Sequence, residues 1–303
     1  MTKMMIDWRS EPVTTGLLTI YERCDRMTGH ESQCLFCQGN SSLSVSVEHI
    51  APESLENSSL VLPPRVVCDT CNNYFARKVE SPFLNSPAVK ALRALEGLPN
   101  KRGRIPEVGV ILHSGMTGSI TKDLADATRI LLMLDASSDV ILDMVRNKKS
   151  PAIYFVDRDS IHSDRDAARF TAKVGIEYIA YVHLNFLATK AEIEPYTLMV
   201  PSELDACRLF ARYGDNSRSW AVQVRRIYKS THIFEDFPEQ QRVWEMDWLL
   251  TEDSCIFAMS IFGLEFAINL YGPEMKAFDR WRASTGAPSL LFPQGIPDTL
   301  DER

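Results

Sequence analysis

The sequence predicts an α+β protein, with an N-terminal ββα domain followed by a larger α+β domain that contains an antiparallel sheet. Two Cys-x-x-Cys pairs bracket two β-type runs, and a helical stretch follows the second pair directly, which predicts the first domain. Helical stretches and then three long β-type runs follow, which predicts the second. Because 303 residues exceed what one hydrophobic core usually holds, we expect domains over residues 1–105 and 106–303.

The elements of the first domain follow from periodicity and from helix-breaking residues. Apolar and polar residues alternate in Leu43–Ile50, and a second β-type run covers Leu60–Val67, so both are predicted strands. Helical patterns cover residues 17–27, 72–81 and 88–98. Pro82 should end the second of these helices, since proline lacks the backbone N–H that a helix interior requires.

The second domain alternates between helical and β-type segments. Its first half is predicted to contain, in order, a hairpin over Val108–Ile120, a helix over Asp123–Met144, a strand over Ala152–Val156, and helices over Asp164–Leu187 and Ser202–Arg212. Its second half is predicted to contain strands over Trp220–Tyr228, Arg242–Leu250 and Cys255–Leu270. The apolar run Ile130–Leu134 should be buried in its helix, and the tail from Pro273 should pack as an irregular cover.

Composition and charge exclude several classes of protein. The formal net charge is −7, which excludes a polybasic nucleic-acid-binding coat. No stretch reaches the roughly 18 uninterrupted apolar residues that a membrane helix needs. The N-terminus lacks an apolar core followed by a small-residue cleavage site. We therefore expect a cytoplasmic protein without a membrane association.

One basic block interrupts this acidic chain. Residues 61–104 carry eight basic and three acidic side chains. Such a block could hold a phosphate backbone over a small area. The candidate nucleic-acid contacts are Arg77, Lys78, Lys101, Arg102 and Arg104. A solvated linker is the alternative interpretation of the last three.

Four of the seven cysteines form the two pairs, Cys34 with Cys37 and Cys68 with Cys71. In a reducing compartment such pairs are typical of metal ligands, and four thiolates complete the tetrahedral shell of Zn²⁺. No position then remains for a substrate, so the predicted zinc is structural. Such a metal would stabilise a domain whose hydrophobic core is small.

Between and after these pairs the sequence reads Glu48-His49-Ile50-Ala51-Pro52 and then Cys71-Asn72. This order of motifs resembles the zinc-bound HNH (ββα-metal) endonucleases, over about residues 30–85. The resemblance implies that His49 is the general base, and that Glu48 and Asn72 hold a catalytic Mg²⁺ or Mn²⁺. It further implies a hydrolase that cuts nucleic acid, with DNA expected rather than RNA, and is compatible with a role in defence against foreign DNA.

Residue chemistry supports these roles. Histidine titrates near neutral pH and can deprotonate an attacking water. A carboxylate and an amide carbonyl suit Mg²⁺. Neighbouring strand residues point to opposite faces, however, so Glu48 and His49 converge only if the strand bends. The family often has an asparagine in the connection between its two strands, and Asn57 is a weak candidate for that residue. Glu80 is interpreted as a solvated carboxylate at the end of its helix.

Two alternatives stay open at the level of sequence. The zinc module could be a non-catalytic adaptor that binds nucleic acid or protein. The second domain could gate the nuclease through a small ligand, a regulatory partner or a homodimer. Its sequence contains no ligand motif that distinguishes these roles.

Overall fold

The structure is a computed structural model that describes residues 2–4, 33–126, 129–147, 153–155, 164–187, 202–214, 219–229, 232, 243–251 and 253–296. The helix predicted over residues 17–27 lies outside the described residues. The predicted α+β class is confirmed, because the described part of the chain forms helices and antiparallel sheets.

The secondary structure comprises strands, α-helices and a few tighter or wider helical turns. The strands are β1 (Thr2–Met4), β2 (Glu48–His49), β3 (Val61–Leu62), β4 (Val108–Leu112), β5 (Thr117–Lys122), β6 (Ile130–Leu134), β7 (Ile153–Phe155), β8 (Val222–Arg226), β9 (Trp244–Leu250), β10 (Cys255–Ile261) and β11 (Leu264–Asn269). The α-helices are α1 (Asp69–Phe75), α2 (Ser81–Leu84), α3 (Pro87–Glu96), α4 (Ser138–Arg146), α5 (Asp164–Val182), α6 (Asp205–Tyr213) and α7 (Lys276–Thr285). The other helical turns are 3-10 turns at Glu53–Leu55 and Ser202–Leu204, and π-helical turns at Ala76–Glu80 and His183–Leu187.

The chain forms two compact units. The first unit comprises described residues of Met1–Pro52, Asn57–Pro82 and Asp164–Arg303, and the second comprises those of Glu53–Glu56 and Phe83–Ser163. The predicted boundary between residues 105 and 106 falls inside the second unit. Helices α5 and α6, predicted to belong to a separate domain, lie in the same unit as the four paired cysteines.

A five-stranded antiparallel sheet, in the order β1-β9-β10-β11-β8, organises the first unit. Helix α5 packs on one face, where the Tyr178 ring lies 5.3 Å from Trp248. A Cβ at Gly175 would lie 2.8 Å from Phe257, so only glycine allows this close approach of helix and sheet. Helix α7 and the segment after it cover the opposite face with apolar side chains that include Phe278 and Leu290.

The third predicted β-run, Cys255–Leu270, is a hairpin rather than one strand. Phe262 and Gly263 both have positive φ values, 45° and 75°, and connect β10 to β11. Two such residues in succession are typical of the tight turns that suit twisted strands. The run is mostly apolar because both strands are buried on both faces, and its polar residues Ser260, Glu265 and Asn269 are buried as well.

The second unit is built on a four-stranded antiparallel sheet in the order β6-β5-β4-β7. Helix α3 packs against it through Ala91 and Ala94, which share a buried cluster with Val108, Val110 and Leu112. The predicted hairpin between β4 and β5 is therefore present, as is the helix before it, which ends at Gly97 with a φ of 78°.

Two further predictions for the chain after residue 106 are wrong. The run Ile130–Leu134 is not a buried helix but strand β6, whose side chains are exposed or half-buried. A run of five apolar residues is long enough for a strand, and the helix begins later, at Ser138. The tail from Pro273 is not irregular throughout, because α7 occupies much of it.

The strands near the cysteines are shorter than predicted. Of the run Leu43–Ile50, two residues pair as β2, since β3 offers a partner of two residues. Leu43 and Val45 are 92% and 79% exposed, so their alternation does not reflect a buried face. Pro82 does not end a helix. A π-helical turn precedes α2, and Pro82 is the second residue of α2, where a missing N–H is tolerated. Among the described helices, none combines the length and apolarity needed to cross a membrane.

Candidate metal centre and catalytic site

The four paired cysteines converge on one point, as the spacing predicts. Their sulfur atoms all lie within 4.8 Å of one another, and the Cys37 and Cys68 sulfurs are 3.7 Å apart. A tetrahedral zinc with bonds of about 2.3 Å places its sulfur ligands about 3.8 Å apart, so this cluster suits Zn²⁺. Bound there, the metal would cross-link the loop at Cys34 to the start of α1.

Hydrogen-bond donors surround the sulfurs, as expected for thiolate ligands. The backbone N–H of Cys68 donates to Cys34 Sγ at 3.3 Å, and that of Cys71 donates to Cys68 Sγ at 3.4 Å. Arg212 Nε donates to Cys71 Sγ at 3.1 Å. The hydrogen bond between the Cys34 and Cys71 side chains lowers the pKa of Cys34 to about 4 and raises the pKa of Cys71. One thiolate is therefore favoured before any metal binds, and metal binding would release the remaining protons.

The β2–β3 hairpin carries the two residues predicted to act beside the zinc cluster. Glu48 is 4% exposed, whereas His49 is half-buried, as expected for strand neighbours that point to opposite faces. The strand pairs regularly with β3 at both positions. The bend that would bring the two side chains together is thus not seen in the hairpin.

Asn72 links the zinc cluster to this hairpin. Its Nδ2 donates to the Val47 carbonyl at 2.8 Å, immediately before Glu48. The amide is thereby fixed, with its nitrogen toward the strand and Oδ1 directed away from that bond. Asp69 supports the same loop, because its Oδ1 accepts from the Ser46 N–H at 2.9 Å. The cysteine cluster, α1 and the strand of His49 are therefore held as one assembly.

Asn57 fixes the connection between β2 and β3. It is 2% exposed, its Nδ2 donates to the Ala51 and Leu60 carbonyls at 2.6 and 2.9 Å, and its Oδ1 accepts from the Ser59 and Leu60 N–H groups. All of its hydrogen-bonding capacity is used within the loop. Asn57, the weak candidate for the family's asparagine between the two strands, is thus a structural residue of this connection.

The largest unforeseen feature is a buried lysine on α5. Lys173 is fully buried, and its Nζ lies 2.6 Å from Glu48, 2.8 Å from Glu80 and 2.9 Å from Glu177. Nζ also donates to the His49 carbonyl at 3.2 Å. Glu80 is 15% exposed, so its interpretation as a solvated carboxylate is wrong.

The protonation of this cluster follows from its burial and its charges. Burial alone would lower the pKa of Lys173, but attraction to Glu177, Glu48 and Glu80 outweighs it and raises that pKa well above its usual value. Burial raises the pKa of Glu177 well above its usual value, although the ammonium opposes this. The lysine is therefore charged, and Glu177 has a strong tendency to carry a proton.

Three arginines of α5 and α6 also contact the cysteine segment. Arg169 is buried, and its Nη2 donates to the Tyr74 hydroxyl at 3.0 Å and to the Ala211 carbonyl at 3.0 Å. Arg208 donates to the Phe36 carbonyl, and the Arg212 guanidinium stacks 3.8 Å above the Tyr74 ring. Because these contacts reach both sides of the zinc cluster, α5 and α6 complete the core around it.

The spacing of these charges is a signal that the sequence contained. Arg165, Arg169, Lys173 and Glu177 recur every fourth residue in α5, and Arg208 and Arg212 do the same in α6. This spacing places them along one face of each helix. Arg169, Lys173, Glu177 and Arg208 are buried. Nothing in the spacing reveals this burial, because charged stripes usually face solvent.

The candidate nucleic-acid contacts fall in both units. Arg77 and Lys78 are exposed residues of the π-helical turn in the first unit. Lys101, Arg102 and Arg104 are exposed in a turn of the second unit, where the Asn100 side chain accepts from the Arg102 and Arg104 N–H groups. Lys101 pairs with Glu53 at 2.9 Å.

The cysteines outside the cluster have no comparable setting among the described residues. Cys207 and Cys255 are buried, and burial raises the pKa of each thiol, to about 12 for Cys255. They are small buried apolar side chains, as predicted. Cys24 lies outside the described residues.

Comparison with known proteins agrees with the site that these residues build. Residues 34–88 match the sequence model of the HNH endonuclease family. The segment spans all four paired cysteines, β2, β3 and α1. The predicted resemblance to the HNH endonucleases is thus confirmed for residues 34–88, whose four cysteines form a cluster that could hold a metal ion. Searches of the curated proteins and of the solved structures gave no match.

Proposed function

We propose that this chain is a metal-dependent endonuclease that hydrolyses phosphodiester bonds of nucleic acid, with DNA as its expected substrate. One observation carries the proposal: the cysteine cluster and the bond from Asn72 to Val47 hold α1 against the strand of His49. This arrangement lies inside the segment that matches HNH endonucleases. A biological role in defence against foreign DNA is compatible with this activity.

His49 is the proposed general base. The residue is held by a paired strand and is half-buried, with Nδ1 buried, so a water and a phosphate would approach the imidazole from its open side. The imidazole accepts a proton from water as the water oxygen forms a bond to phosphorus. The bond between phosphorus and the leaving nucleotide oxygen breaks, and that oxygen takes up a proton from solvent. A positioned base of this kind typically contributes 10²–10⁴-fold to a rate.

Glu48 and Asn72 are the proposed ligands of a catalytic Mg²⁺ or Mn²⁺. Asn72 is suitably placed, because its nitrogen is bonded to Val47 and its Oδ1 is directed elsewhere. Glu48 does not offer a ready ligand, since one of its oxygens lies 2.6 Å from Lys173 Nζ. When bound, the cation would supply positive charge to the phosphate and the leaving oxygen.

Cation binding by Glu48 separates this proposal from a non-catalytic zinc adaptor. We expect zinc-loaded protein to bind Mn²⁺ at a second, weaker site, measured by calorimetry. Glu48→Gln should abolish that site while preserving zinc content, because it keeps the side-chain volume and removes the charge. An adaptor would bind no second cation, and a second site that survives in Glu48→Gln would show that Glu48 is not its ligand.

The basic turn at residues 101–104 is the proposed contact with the phosphate backbone. Replacing Lys101, Arg102 and Arg104 with glutamine should weaken binding to duplexes of every sequence. It should also reduce the slope of log K against log [salt] by up to about 2.7, since each lost phosphate contact contributes about 0.9. Fluorescence anisotropy over a salt series measures both effects.

A matched control removes three exposed basic residues elsewhere: Lys229, Lys276 and Arg280. This variant has the same net charge as the first, so it isolates the position of the charges from their number. It should retain most of the wild-type salt slope. Equal slopes in wild type and in the variant at residues 101–104 would assign that turn to a solvated linker.

A further inference from the structure

Four oxygen atoms surround one nitrogen beneath the β2–β3 hairpin. Lys173 Nζ lies within 2.6–2.9 Å of carboxylate oxygens from Glu48, Glu80 and Glu177, and 3.2 Å from the His49 carbonyl oxygen. These groups come from a strand, a π-helical turn and α5, so the ammonium connects three elements. Two of its contacts, with Glu48 and with the His49 backbone, belong to the residues on which the proposed function rests.

We infer that Lys173 is a built-in competitor of the catalytic divalent cation, so that Glu48 binds the cation only by releasing the Lys173 ammonium. The inference rests on the proposed function, in which Glu48 is a cation ligand. The ammonium already holds the Glu48 carboxylate, and neither group is exposed to water that could screen them. A divalent cation at Glu48 must therefore displace a positive charge that is in direct contact with its ligand.

The two additional carboxylates make this exchange possible. A buried ammonium that lost its partner would be strongly destabilising. After releasing Glu48, Lys173 would keep the Glu80 carboxylate as its counter-ion and Glu177 as a hydrogen-bond partner, and both already lie within 2.9 Å of Nζ. The exchange thus leaves no isolated buried charge, and it sets a threshold concentration of Mg²⁺ or Mn²⁺ below which the nuclease is restrained.

Mn²⁺ binding to the zinc-loaded full-length chain tests the competition without relying on cleavage. Lys173→Gln removes the ammonium and keeps most of the side-chain volume. We expect it to bind Mn²⁺ about tenfold to a hundredfold more tightly than wild type, the usual range for coupled sites. Lys229→Gln is the matched control, because it removes one exposed lysine charge from the same unit. Its Mn²⁺ affinity should stay within about twofold of wild type, since exposed charges are screened.

The possible results are distinguishable. Equal Mn²⁺ affinity in wild type and Lys173→Gln would overturn the competition and leave Glu48 as a cation ligand. Absence of Mn²⁺ binding in both would overturn the proposed function together with the inference. If circular dichroism shows that Lys173→Gln is unfolded, the double variant Lys173→Gln, Glu177→Gln replaces it. That variant removes both groups of the buried i, i+4 pair, and the same increase in affinity is expected.

Discussion

Replacing His49 with alanine should lower the rate of phosphodiester hydrolysis by about 10²–10⁴-fold, the range for loss of a positioned base. Zinc content and folding should be unchanged, because His49 is not among the four clustered ligands and its contacts to β3 and Lys173 involve its backbone. Affinity for nucleic acid should stay near the wild-type value. Single-turnover cleavage of a labelled duplex measures the rate, and elemental analysis measures the zinc.

The pH dependence provides a second readout for the same residue. Because a general base must be unprotonated to accept a proton, the wild-type rate should rise with pH, and this rise should be absent in His49→Ala. His113→Ala is the matched control, because His113 is an exposed histidine of the second unit. It should retain the wild-type rate and pH profile. Loss of zinc or of folding in His49→Ala would instead place His49 in the structural core.

Cys68→Ser should abolish folding of the zinc-bound domain. The serine hydroxyl is a poor zinc ligand, and structural zinc in small domains contributes binding free energies of about 10 kcal/mol or more. Cys68 is also the N-cap of α1, where its Sγ accepts from the Cys71 N–H. A serine hydroxyl can cap the helix in the same way, so the expected loss comes from the metal ligand. Wild-type protein should contain about one zinc per chain, whereas the variant should be insoluble or lack zinc and the corresponding circular dichroism signal.

Cys207→Ala controls for the loss of a thiol as such. Cys207 is buried in α6 and is not one of the four clustered cysteines. This variant should keep one zinc per chain and cost at most a few kcal/mol of stability. A wild-type protein that purifies folded without zinc would refute the structural role of the metal.

The metal centre could be predicted from the sequence because its geometry is local. A Cys-x-x-Cys turn by itself places two sulfurs on one side of the chain. With two such turns, the tertiary fold has only to bring them together to form the four-sulfur site. The cluster of Cys34, Cys37, Cys68 and Cys71 confirms this. The order of Glu48, His49 and Asn72 relative to the cysteines was also visible in the sequence. That order indicated the family whose model matches residues 34–88.

The partners of Glu48 could not be predicted, because they are distant in sequence and chemically ambiguous. Lys173 and Glu177 lie on a helix more than a hundred residues after the hairpin. Charged residues at i, i+4 spacing predict a solvated helix face, and nothing local indicates that tertiary packing buries this one. The predicted boundary after residue 105 separated the HNH segment from α5 and α6, which supply Lys173, Arg169 and Arg212 to its core.

The misassigned strands have a related cause. Periodicity reports which faces a segment could bury, but strand length depends on the partner that is available. Leu43–Ile50 alternates over its whole length and pairs over two residues, since β3 is equally short. Ile130–Leu134 is apolar enough for a buried helix, yet it pairs with β5 at the edge of a sheet.

The most direct test of the central claim is cleavage by purified, zinc-loaded protein. Supercoiled plasmid, linear duplex, single-stranded DNA and RNA are each incubated with Mg²⁺ or Mn²⁺, with EDTA as the control. The proposed activity predicts nicked or linear plasmid products that depend on the divalent cation, and DNA cleaved in preference to RNA. Binding without cleavage of any substrate, in folded protein that contains zinc and either cation, would contradict the nuclease and identify an adaptor.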